Sequence, residues 1–169
     1  LLLMSVFFPG YFPKNILFAS NHELITKHEI FKPVKVLTTP KGETVLDFGQ
    51  NLVGWVQMKV SGNAGDAIVL SHAEILDKTG NLYFDNLRNA SAKDTYIVKG
   101  NGVETFEPHF TFHGFRYVRV EGFQSAINPE NFVAIALYSD MKPTGEFDCS
   151  NELVNKLQKN IQWGQRGNF

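Results

Sequence analysis

The sequence predicts a mainly β protein: an antiparallel β-sandwich of jelly-roll type followed by one C-terminal α-helix. Three observations carry that prediction. Short runs of alternating apolar and polar residues recur between turn signals from Val34 onward. No long helical pattern occurs before Pro143. Beyond it the period changes, and Leu153, Leu157 and Ile161 recur at helical spacing.

Taken in order, the segment 1–33 is unassigned and read as extended or strand-like. Its opening, "LLLMSVFFPGYFPKN", has an apolar run that stops at Pro9-Gly10, too short to span a bilayer. It also lacks the basic start and small-residue cleavage site of a signal peptide. A chain that starts without Met is expected to be a piece of something longer. The sandwich is placed at 34–140. In "ETVLDFGQNLVGWVQMKVSG", Leu46 and Phe48 share one strand phase and a turn is expected at Gly49-Gln50-Asn51. A second strand follows, in which Val56, Met58 and Val60 alternate with Trp55, Gln57 and Lys59. "GNAGD" turns into the strand "AIVLSHAEIL"; "DKTGN" turns into "LYFDNLRNA", a long loop. "DTYIVKGNGVETFEP" reads as a hairpin tipped by Gly100-Asn101-Gly102. "NFVAIALYSD" is the last strand, with Val133, Ile135 and Leu137 in phase. In 141–169, a linker precedes a helix capped by Ser150 or Asn151.

The composition is that of a globular protein, 43% hydrophobic and 20% charged, with 15 phenylalanines to supply an aromatic-rich core. The net charge of −1, with Lys and Arg scattered, leaves no electrostatic footprint for nucleic acid or an anionic membrane, so neither is expected as a partner. The single cysteine, Cys149, forms no internal disulfide and does not fix the compartment. No phosphate loop, dinucleotide fingerprint or nucleophile elbow occurs, and the five histidines show no helical zinc spacing. Neither cofactor nor metal is expected.

Alternation puts Ile68, Leu70, His72 and Glu74 on one strand face, running from core to polar rim. His72 and Glu74 are read as groups paired to neighbouring strands or to a docked domain, against the sharper reading of an acid/base or sugar-binding pair. Trp55 lies in the outward phase of its strand. Its flat apolar face suits either stacking on a sugar ring or anchoring a second domain.

The stretch "FTFHGFRYVRV" is the most informative. Phe110, Phe112, Arg116, Val118 and Val120 share one phase, and Thr111, His113, Phe115, Tyr117 and Arg119 the other, with Gly114 able to reset both. Each face carries aromatics and a polar group, the pattern of a strand covered on both sides.

Together, "VLDFGQNLVGWVQMKVSGNAGDAIVLSHAEIL", "GNLYFDNLRNASAKDTYIVKG" and "FEPHFTFHGFRYVRVEGF" closely resemble the concanavalin-like β-sandwich domain of bacterial α-L-rhamnosidases. These are inverting glycoside hydrolases that remove terminal L-rhamnose. "FDCSNELVNKLQKNIQWGQRGNF" looks like the first helix of that family's (α/α)6 catalytic barrel. The resemblance implies that the catalytic carboxylates lie in the barrel, beyond Phe169, and that no catalytic residue lies in this chain. It implies a structural or accessory sandwich, inactive alone, whose partner is the catalytic domain of the same parent chain. His72, Glu74, Asn86, Arg88, His113 and Arg116 would hold the sandwich together and dock it on the barrel. The alternative is an independent carbohydrate-binding module in which Trp55 and its neighbours contact rhamnose-containing glycans. The apolar stripe of the last helix also invites self-association. A periplasmic or extracellular setting fits the parent enzyme, although the compartment of this chain is unknown.

Overall fold

In the computed structural model, residues 23–123 and 126–169 are described. The opening apolar run therefore lies outside the described residues. The polypeptide forms one curled antiparallel sheet followed by a helix. The strands are β1 (Ile25–Phe31), β2 (Lys35–Thr38), β3 (Thr44–Val60), β4 (Ala67–Ala73), β5 (Lys93–Ile97), β6 (Glu104–Phe106), β7 (His113–Glu121) and β8 (Phe132–Ser139). Helix α1 spans Glu152–Asn168. The strand order is β1-β8-β3-β7-β4-β5, with β2 and β6 each added to β3. Strand β1 arises from the segment 1–33 and pairs with β8, from Ile25 opposite Ser139 to Phe31 opposite Ala134.

Strand β3 organises the sheet. Its first part pairs with β2 and β7, its last part with β8 and β6. The turn expected at Gly49-Gln50-Asn51 is not there: β3 runs through without reversing. Asp47 faces Tyr117 and Leu52 faces Phe115, so five steps along β3 match two along β7. The surplus forms a bulge, which bends a strand while preserving its direction. Gly49, at φ +78°, adopts the left-handed geometry the bulge requires, and its N–H donates to Asp47 Oδ1 at 2.7 Å. Beyond the bulge the predicted alternation holds: Leu52, Val56, Met58 and Val60 are buried, while Val53, Trp55 and Gln57 are half-buried and Lys59 is exposed.

The expected hairpin over "DTYIVKGNGVETFEP" is also corrected. β5 pairs with β4 and β6 pairs with β3, so the two strands diverge onto different neighbours. The connection is held by a side chain instead of a ladder. The Glu104 carboxylate accepts the backbone N–H groups of Lys99, Gly100 and Asn101.

The main core fills the inside of the curl with Leu46, Phe48, Leu52, Val56, Met58, Leu70, Phe115, Val118, Phe132 and Ala134, among others. A smaller cluster of Val45, Ala73 and Leu82 lies under Leu37, Leu76, Phe84 and Tyr117. It covers β4 and β7 on their other face, which is why Ser71 and Ala73 are as buried as Leu70 and His72. In β8 both phases are occupied: Phe132, Ala134 and Ala136 are fully buried, and Ile135 and Leu137 nearly so.

Helix α1 starts where the sequence places it. Asn151 is the cap, its side-chain oxygen accepting from the N–H groups of Leu153 and Val154 at 3.0 and 3.4 Å. Its docking face differs from the Leu/Ile stripe. Trp163 meets Phe31 edge-on at 5.7 Å, and Arg166 reaches Glu29 Oε1 at 3.2 Å while lying over the Tyr138 and Trp163 rings. Leu153, Leu157 and Ile161 remain 77%, 57% and 55% exposed. Among the described residues no helix is long and apolar enough to cross a membrane.

Candidate functional site

The polar residues singled out from the sequence fall into separate groups. Around His72 on β4, the fold assembles a buried His–Asp–His cluster. The His72 ring is fully buried, stacked on His113 with centroids 4.4 Å apart, and met edge-on by Phe115 at 4.9 Å. His72 Nδ1 lies 3.1 Å from Ala92 O, and His113 Nε2 lies 3.0 Å from Asp94 Oδ1. Burial, and secondarily the His113 charge, push the His72 imidazolium down to about 4, overriding the opposing Asp94 carboxylate and Ala92 carbonyl. His72 is therefore neutral near pH 7, and its 3.8 Å approach to Asp94 is not an ion pair there. Asp94 was not legible in the sequence as a partner, because only the pairing of β5 with β4 brings it under both histidines.

Glu74, just past β4, accepts from Asn51 Nδ2 at 3.3 Å and Asn86 Nδ2 at 3.0 Å. Gly114 lies directly beneath that carboxylate; a Cβ there would sit 3.4 Å from Glu74 Oε1, in ordinary contact. Asn86 belongs to a short 3-10 turn at Asp85–Leu87. Arg88 follows it, exposed, at φ 54° with its N–H on Asp85 O. The fold thus unites Glu74 with Asn86, with Asn51 as the unforeseen third member.

Arg116 makes a two-pronged contact with Asp47, Nε to Oδ1 at 2.8 Å and Nη2 to Oδ2 at 2.9 Å. Burial alone would raise the Asp47 carboxyl, but the Arg116 guanidinium and the Gly49 N–H hold it below the ordinary range. Trp55 is not a bare platform. Its Nε1–H donates to Glu107 Oε1 at 3.0 Å, the Lys27 ammonium sits 5.6 Å above the ring, and Lys27 also pairs with Glu107. Gln57 donates to the other Glu107 oxygen at 2.6 Å. Burial would raise Glu107 too, yet Lys27, Gln57 and Trp55 together lower it.

The phase reading of "FTFHGFRYVRV" needs one correction. β7 begins only at His113, and Phe110 and Phe112 are 107% and 60% exposed, so neither joins the core. Phe115, Val118 and Val120 are the buried residues. The phase therefore changes at Arg116-Tyr117, opposite the β3 bulge, and not at Gly114.

The two lowered carboxylates give a pH prediction. A carboxyl with a depressed folded value contributes stability that is full above its unfolded value and is lost as pH falls through the folded one. The ordinary values are 3.8 for Asp47 and 4.5 for Glu107. Stability should hold above about pH 5 and decline below it, by no more than about 1.4 kcal/mol per pH unit for each group. Urea denaturation between pH 3 and pH 7 checks this, because that series runs from the plateau into the upper half of the roughly pH 5 to pH 1 window for paired carboxylates. Asp47→Asn should lower stability at neutral pH and flatten the acid decline; curves that stay parallel to the parent would refute the role given to Asp47.

The curled antiparallel sheet, its aromatic core and its internally paired polar rim define a concanavalin-like β-sandwich domain. Residues 37–138 match the bacterial alpha-L-rhamnosidase concanavalin-like domain, and the chain belongs to that family. It is 49% identical over 138 residues to an alpha-L-rhamnosidase of Streptomyces avermitilis, covering 81% of this chain and 13% of that protein. An alpha-L-rhamnosidase of Formosa agariphila is 39% identical over 145 residues, which is 85% of this chain and 16% of the relative. The crystal structure of native alpha-L-rhamnosidase from Aspergillus terreus superposes with a TM-score of 0.87 at 42% identity, over 94% of this chain and 18% of that one. The chain thus spans less than a fifth of the length of these relatives.

Proposed function

We propose that this chain is the non-catalytic accessory sandwich of an α-L-rhamnosidase, with 34–140 as the sandwich and 141–169 as a linker and the first helix of an (α/α)6 catalytic domain. In this reading the sandwich docks on that barrel, and the whole enzyme hydrolyses terminal L-rhamnose. The single observation that carries the proposal is the pairing of a family match over 37–138 with coverage of only 13% of the Streptomyces avermitilis relative. The bare stripe of Leu153, Leu157 and Ile161 supports it, since a helix sheltering apolar residues on two sides needs a second packing partner. The engaged carboxylates also support it. An inverting glycosidase needs two carboxyl groups flanking a water and the scissile bond, whereas Asp47, Glu74 and Glu107 are each held by neighbouring side chains.

Two measurements on the purified chain test this. Turnover of an aryl α-L-rhamnoside should be absent, and measurable hydrolysis with inversion would overturn the reading. Titration with L-rhamnose and rhamnosylated oligosaccharides should give no saturable binding. Saturable binding lost in Trp55→Ala would favour an independent carbohydrate-binding module instead.

A further inference from the structure

We propose that His72, Asp94 and His113 bind a single divalent transition-metal ion of the zinc type, as a staple across β4, β5 and β7. The argument begins with one hydrogen. Ala92 O can only accept, so His72 Nδ1, 3.1 Å away, carries the ring hydrogen and Nε2 presents a bare lone pair. That Nε2 is buried without a hydrogen-bond partner, and so is Asp94 Oδ2, 3.8 Å from it. Two buried acceptors facing each other is a costly arrangement, and a cation between them removes the cost.

The spacing suits such an ion. Four-coordinate zinc at about 2.0–2.1 Å from nitrogen and oxygen ligands sets neighbouring ligand atoms about 3.4 Å apart. The 3.0 Å between His113 Nε2 and Asp94 Oδ1 and the 3.8 Å between His72 Nε2 and Asp94 Oδ2 bracket that separation. One ligand atom from each of the three residues lies within 4.8 Å of the others. A donor set of two imidazoles and one carboxylate favours zinc-type ions over magnesium or calcium. The Nδ1–H to Ala92 O bond is the backbone support that orients a ligating imidazole.

The stacked rings, 30° apart in plane, show what must move. Two nearly parallel imidazoles cannot both aim at one ion, so His113 has to turn about its outer side-chain torsion. It is the more accessible of the two rings, its side chain 10% exposed while that of His72 is sealed. Sequence spacing does not reveal such a site, because its three ligands come from three strands.

The test uses the chelator-treated chain titrated with Zn2+ by calorimetry and with Co2+ by visible absorption. The expected result is one ion per chain, a Kd of about 1 μM or tighter, and the intense d–d band of four-coordinate cobalt. His113→Ala and His113→Gln, with circular dichroism confirming their fold, should each weaken binding by about tenfold or more. Cys149→Ser should bind as the parent does, showing that the lone thiol is not the ligand. Binding undiminished in both His113 variants would overturn the proposal. Absence of saturable uptake, with nitrogen NMR showing a proton on His72 Nε2 near pH 7, would overturn it as well and assign the gap to a proton.

Discussion

Replacing Gly54 by alanine is expected to destabilise the fold by about 3 kcal/mol or more, at the upper end of over-packing costs. Gly54 is paired on both sides within β3, opposite His113 of β7 and Ala136 of β8. A Cβ there would land on the carbonyl oxygen of Ile135, with the carbonyl carbon and the Ala136 Cα close behind. The obstacle is backbone in a central strand, so no rotamer change relieves it, and β3 and β8 must separate locally. Gly164→Ala makes the same chemical change in α1, where nothing lies within 4 Å of the added carbon. That variant should stabilise by a few tenths to about 1 kcal/mol through helix propensity alone. Urea midpoints of the two variants read opposite signs; equal shifts would refute the account of β3.

Phe115→Ala is expected to cost about 3–5 kcal/mol, the range for truncating a buried aromatic. The ring is fully buried, edge-on to Phe48 at 5.9 Å and against His72 at 4.9 Å, so its loss leaves a void that rigid strands cannot close. For a chain of this size that corresponds to a fall in Tm of roughly 10 °C. Phe115→Leu, which keeps most of the volume, should lose less. Phe112→Ala, on an exposed ring two residues before Gly114, should change stability by less than about 0.5 kcal/mol. Thermal melts of these three variants rank the positions, and a Phe112→Ala loss equal to that of Phe115→Ala would overturn the assignment of core and surface.

That last contrast marks where the sequence stops being legible. Phe110, Phe112 and Phe115 are equally apolar as residues, and period 2 cannot say which one lies inside a strand that begins at His113. Alternation in Leu52–Val60 was readable because one face meets the core throughout. The bulge before it was not, because it is defined by the neighbouring strand, against which β3 carries surplus residues. Gly49, which suggested a turn, was right about local geometry and wrong about chain direction. Likewise "GNG" between β5 and β6 does bend the chain, but which strands the two arms then join depends on β3 and β4.

By itself, the sequence determined the β class, the positions of most strands, the capped helix after Ser150 and the family, since each rests on short-range period, turn chemistry or a long run of matching residues. The tertiary structure decided which polar residues meet. His72 acquires Asp94 and His113, Arg116 acquires Asp47, and Trp55 acquires Glu107 and Lys27. It also decided that α1 docks through Trp163 and Arg166 while Leu153, Leu157 and Ile161 stay uncovered. The physical reason is the same in each case: backbone propensity acts over a few neighbouring residues, whereas side-chain partners are chosen by the register and curl of strands distant in sequence.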